Sequence, residues 1–238
     1  MKRSHLAAAT AVLAAAALTA GLATPAFAQT ATTSGPTANQ QARLAFLKAR
    51  GNGAINVRLH TLSNDGTLVT SAVHLTQSDQ STLASLISAD EAGLSSLETT
   101  IDNDTTVPQA TTDVRSIVTS YRIYVLVDPK IHLTVATDRG LAAVATFQQL
   151  ASADQTEITA ATSGNIAAAK TALSSMNNEV VLAENLLTPV PGEVLPLVPA
   201  GYPANKPTLQ GAATSLRQAR QDLGMAQAYA GQVQSDLA

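Results

Sequence analysis

The stretch 121-YRIYVLVDPKIHLTVAT-137 decides the fold class. In one reading, Tyr121–Val127 and Ile131–Thr137 are extended arms of a β-hairpin around Asp128-Pro129-Lys130, because both are rich in β-branched and aromatic residues. In the other, Val114, Ile117, Val118, Tyr121, Tyr124 and Val125 keep steps of three and four residues and form one helical stripe. The longer periodicity favours two helical segments broken at Asp128-Pro129. Asp is a favoured N-cap there, and Pro is tolerated at the first helical position, where its missing N–H would have no partner. The helical reading makes the protein all-α.

Helical spacing extends in both directions from this stretch. Upstream, Leu83, Ile87, Leu94, Leu97 and Ile101 share one face, and Thr76-Gln77-Ser78-Asp79 resembles a capping box with a shorter acid in the usual Glu position. Asp102 to Pro108 connects to the next helix. Before that lie Leu44, Leu47, Ile55, Leu59 and Leu62, a stripe weakened by Gly51-Asn52-Gly53 and ended or bent at Asn64-Asp65-Gly66. Leu68–Leu75 suits helix or strand. Downstream, Ile131, Val135, Ala142 and Ala145 predict a fourth helix, and Ser163-Gly164-Asn165 breaks the chain. Ala169, Leu173, Met176, Val180, Ala183 and Leu187 predict a fifth.

Thr188–Pro207 holds six of the ten prolines, which predicts non-helical, polyproline-like structure. The last helix carries the longest stripe, from Leu209 through Leu216, Leu223 and Ala230 to Leu237. One helix cannot bury its own apolar face. This stripe is expected to dock on Ile166–Leu187, or to serve a protein partner or a second copy. The predicted fold is an elongated antiparallel helical bundle of five or six helices with coiled-coil-like seams.

Domain boundaries follow from composition. Residues 1–28 read as a signal peptide: Lys2 and Arg3, an apolar run from Leu6 to Ala23, and the A-x-A site Ala26-Phe27-Ala28. Cleavage before Gln29 is expected, which places the mature chain outside the cell or in its envelope. Residues 29–38 are a polar leader expected to be disordered, 39–187 the helical bundle, 188–207 a Pro-rich linker, and 208–238 the C-terminal helix docking on the bundle. No second apolar run is long enough to span a bilayer.

Composition excludes several functions. The formal charge of −3 becomes −5 once Lys2 and Arg3 are removed, which argues against nucleic-acid binding. The absence of cysteine excludes disulfides, thiol chemistry, Cys-ligated metal and a lipoprotein anchor. Aromatic residues make up 3% of the chain and none is Trp, which fits closely packed Ala-rich helices better than a deep pocket.

Leu75-Thr76-Gln77-Ser78-Asp79, Ile101-Asp102-Asn103-Asp104-Thr105, and Tyr121-Arg122-Ile123-Tyr124 followed by Asp128-Pro129-Lys130 and Ala136-Thr137-Asp138-Arg139 together resemble a group of uncharacterised secreted all-helical proteins from high-GC Gram-positive bacteria. The resemblance covers residues of about 40–140. It implies an all-α reading of Tyr121–Asp138 and brings no activity or site residues. The Gly-rich interruptions in helix one depart from the group's pattern.

The search for chemistry yields little. His60, His74 and His132 lack H-x-x-x-H or H-E-x-x-H spacing, and no nucleophile elbow, P-loop or dinucleotide pattern appears. Asp102, Asp104 and Asp113 occupy positions 1, 3 and 12 of an EF-hand-like count, but Val107 replaces the turn Gly and Asp113 is too short for the bidentate Glu. Arg58, Asp90 and Asp138 interrupt apolar seams. Asp138 is expected to pair with an arginine, the candidates being Arg58, Arg115, Arg122 and Arg139. No catalytic, cofactor or metal residue is assigned. The expected function is a secreted, non-enzymatic structural or interaction protein; the alternative is a binder of a small apolar ligand or lipid between helices.

Overall fold

Periodic apolar spacing becomes helix along most of the chain. The structure, a computed structural model, describes residues 37–238, so the signal-peptide assignment and leader residues 29–36 lie outside the described residues. The elements are α1 (Ala38–Ser71), α2 (Gln77–Asn103), α3 (Val107–Thr119), a 3-10 turn at Ile123–Val125, α4 (Val127–Ala160), α5 (Ile166–Leu187), the short α6 (Val190–Val194), a second 3-10 turn at Pro199–Gly201, and α7 (Lys206–Leu237). No strand occurs among the described residues, and the fold is all-α.

Tyr121–Thr137 is not a hairpin, but its break differs from the expected one. The chain turns at Arg122, whose φ of 52° lies in the left-handed region. It then makes a 3-10 turn and enters α4 after Leu126. Asp128 and Pro129 sit inside the first helical turn instead of interrupting the helix. The first four N–H groups of a helix have no intrahelical partner, so Pro129 forfeits nothing there.

Helix α1 also corrects the reading. It runs through Gly51-Asn52-Gly53 and Asn64-Asp65-Gly66 without a stop and absorbs Leu68–Ser71. It begins with a full capping box, in which Thr37 accepts from Gln40 N and the Gln40 side chain accepts from Thr37 N. Thr37 and Ala38 therefore belong to the helix start and not to a disordered leader. The Pro-rich segment contains α6, against the non-helical expectation. Pro191 lies at a helix N-terminus, as does Pro207 in α7, where a missing N–H is harmless.

The apolar stripes meet in three clusters. Ile55, Leu62, Leu83, Leu94, Ile101 and Ile117 join α1, α2 and α3 with the start of α4. Val144, Ile158, Leu173, Met176, Val180, Ala226 and Val233 join the rest of α4 with α5 and α7. Leu126, Val190, Val194 and Leu209 pack α6 between them. Helix α4 has 34 residues, a length of about 51 Å at 1.5 Å per residue, and contributes to both large clusters. From Leu216 to Leu237 the α7 stripe packs with α5 and α4, while Leu209 and Ala212 join the α6 cluster. Asp222, on α7, is buried and accepts from Gln218 Nε2 at 2.8 Å.

None of the seam-breaking charges finds an arginine. Asp138 is buried and accepts from Thr76 N at 2.9 Å. Thr76 caps α2 by accepting from Asp79 N. In a capping box the third residue would return a bond to the cap's own N–H. Asp138, from α4, makes that bond instead, so the start of α2 is completed by another helix. Burial raises the Asp138 pKa, opposed by the Thr76 N–H bond, while the neighbouring Asp79 raises it further. Arg58 donates to Ala54 O and stacks on Tyr124.

Asp90 faces Lys130 and Tyr121. Lys130 is 4% exposed, and its Nζ donates to Leu195 O and Leu197 O at 3.1 and 2.5 Å, tying the Pro-rich segment to α4. Burial pushes the Asp90 carboxyl up to about 6, against the pull of Lys130. A carboxyl whose folded pKa exceeds the ordinary 3.8 holds its proton more tightly when folded. Its stabilising contribution is complete below the unfolded pKa and is lost as pH rises through about 6. The melting temperature should therefore fall as pH rises from 4 to 7. Asp90→Asn should make that fall shallower by a few degrees, checked by thermal melts across this range.

Candidate functional site

The α4 N-terminal half gathers the chemistry. Residues four apart lie on one helix face, so Asp128 and His132 stand side by side. Asp65, from the C-terminal part of α1, meets them. His132 Nε2 is 3.5 Å from Asp65 Oδ1 and 3.6 Å from Asp128 Oδ1. One ligand-capable atom from each of the three lies within 4.8 Å of the others. The Asp65 side chain is 4% exposed, and its Oδ2 has no hydrogen-bond partner. Burial pushes the Asp65 carboxyl up to about 6; the Asp128 charge adds to this and His132 opposes it.

Beside this trio runs a groove of about 730 Å³ between α4 and α7. Its walls are apolar: Tyr124, Val125, Leu133, Tyr202, Leu209 and Leu216. Tyr124 and Tyr202 each carry an arginine over the ring. The Arg58 guanidinium lies 5.0 Å from the Tyr124 ring centre and Arg122 lies 4.8 Å from that of Tyr202. Lys206 and Arg220, both exposed, also line the groove. They are fourteen positions apart on α7, about 21 Å at the helical rise. His132 borders this groove and a smaller cavity of about 250 Å³ reaching Leu187 and Leu223.

The residues singled out in the sequence scatter. His60 and His74 are exposed and apart from the trio. The Asp102–Asp113 segment is no calcium loop. Asp102 ends α2 and accepts from Asn52 Nδ2 at 2.8 Å, while Asp104 caps that helix beside Asp113. Burial and the Asp113 charge together raise the Asp104 pKa. Sequence reading missed the trio. A search for paired histidines passes over Asp128-x-x-x-His132, which offers the same i,i+4 geometry with one carboxylate. The third member comes from a different helix, and no local signal pairs it with α4.

No family model, curated protein or solved structure matches the chain. The resemblance to secreted helical proteins thus rests on the motifs quoted above. No described helix is long and apolar enough to cross a membrane.

Proposed function

We propose that the protein is an exported, non-catalytic binding protein whose α4–α7 groove takes a long-chain amphipath with an acidic head. The observation that carries this reading is the groove: apolar walls, a length of about 21 Å between two α7 cations, and aromatic rings fixed by arginine. Apolar walls favour a hydrocarbon chain, and Lys206 or Arg220 favours an anionic end. Export is supported by the charged start, apolar run and A-x-A site of residues 1–28. The interaction-protein reading rests on the signal peptide, the long Ala/Leu stripes and the missing active-site signatures. Much of the α7 stripe packs on α5 and α4 of the same chain, while Leu209 and Leu216 also line the groove.

Titration with a fluorescent long-chain carboxylate tests the proposal. Saturable binding should be abolished by Ala213→Trp, which fills the groove from a partly exposed position on its wall. It should be weakened several-fold by Lys206→Ala or Arg220→Ala. Equal binding by wild type and Ala213→Trp would refute the groove as the site.

A further inference from the structure

We propose that Asp65, Asp128 and His132 bind a divalent transition-metal ion of the zinc class. The inference goes beyond the amphipath reading and does not depend on it.

Two observations carry it. The first is spacing. Separations of 3.5 and 3.6 Å from His132 Nε2 to the two carboxylates are too long for good N–H···O hydrogen bonds, which lie at about 2.7–3.2 Å. They match the edge of a coordination tetrahedron. Zinc–nitrogen and zinc–oxygen bonds of about 2.0–2.2 Å place tetrahedral ligands about 3.4 Å apart. The second is Asp65 itself. Its side chain is buried to all but 4%, yet Oδ2 has no donor. Buried carboxylate oxygens are ordinarily hydrogen-bonded or bound to a cation, because leaving one bare is costly.

The donor set selects the ion class. An imidazole nitrogen with two carboxylate oxygens suits zinc and its transition-metal neighbours, whereas calcium and magnesium prefer more ligands, all oxygen. Two carboxylates and a neutral imidazole balance the charge of a divalent ion. Two of the three ligands share one turn of α4 and the third sits within α1, so all are held on helices and not on loops. The His132 side chain is 57% exposed and borders the groove, which leaves a coordination position open to solvent.

The test is binding of zinc and of cobalt(II), with no other ligand added, to the untagged full-length protein. One ion per chain should bind, and the cobalt form should show the intense visible absorption of a four-coordinate site. Asp65→Asn and His132→Ala should each weaken binding by more than about tenfold. The control His60→Ala/His74→Ala should leave it unchanged. Circular dichroism verifies folding; if Asp65→Asn does not fold, the exposed His132→Ala carries the comparison. No saturable binding, or equal affinity in wild type and His132→Ala, would overturn the site whatever the groove binds.

Discussion

Val233→Asp should leave the protein largely unfolded at temperatures where the wild type is folded. Val233 is fully buried in the cluster that joins α7 to α5 and α4. The helix can shed the new carboxylate to solvent only by lifting its last turns, Ala230 and Leu237 included, out of the cluster. An unpaired carboxylate in such a site costs about 3–5 kcal/mol, a large share of the stability of an ordinary domain. Chemical denaturation followed by circular dichroism should show the midpoint collapse. The neighbouring Gln234 already bonds Asp154 and Glu157 across the α4–α7 contact, so Asp at 233 adds a further negative charge to an acidic locality. A variant that melts like the wild type would mean that α7 is an appendage and that the fold described here is wrong.

Gly51→Leu and Gly53→Ala, two positions apart, should act in opposite directions. A Cβ at Gly51 would stand 2.9 Å from Val114 Cγ2 and 3.2 Å from Ile101 Cδ1. Here α1 approaches α2 and α3 through the missing side chain. Leu has no room, and overpacking of this kind costs about 3 kcal/mol. A Cβ at Gly53 meets nothing within 4 Å. In a helix interior Ala is better than Gly by about 1 kcal/mol, so Gly53→Ala should raise stability by that amount. Paired denaturation curves check both signs at once.

The same glycines explain how far the fold was legible. The Ala/Leu/Val stripes gave α2, α5 and α7 nearly residue by residue, because amphipathic spacing and burial are two views of one face. Gly51 and Asn64-Asp65-Gly66 signalled a weak or ended helix, and local propensity was right about their preference. Tertiary contact decided otherwise: Gly51 is kept small by Val114 and Ile101, and Asp65 is buried toward His132. Gly164 is the opposite case. It breaks the chain as expected, with φ of 81°, and a Cβ there would strike Asp236 O at the end of α7. Prolines misled in the Pro-rich segment, where Pro191 and Pro207 fell in first helical turns. Composition cannot separate that tolerated place from a forbidden one. The site was half legible: Asp128 and His132 share a face by spacing, whereas Asp65 joins them only once α1 lies against α4. The groove was invisible, since Tyr124 and Tyr202 are far apart in the chain and meet its walls through two unrelated turns.

The most direct test of the central claim is a map of backbone amide shifts on adding a long-chain carboxylate such as palmitate. Perturbations should be confined to residues 124–136 and 202–220, the two sides of the α4–α7 groove, with saturation at one ligand per chain. Unchanged spectra, or shifts concentrated on α2 and α3, would contradict it.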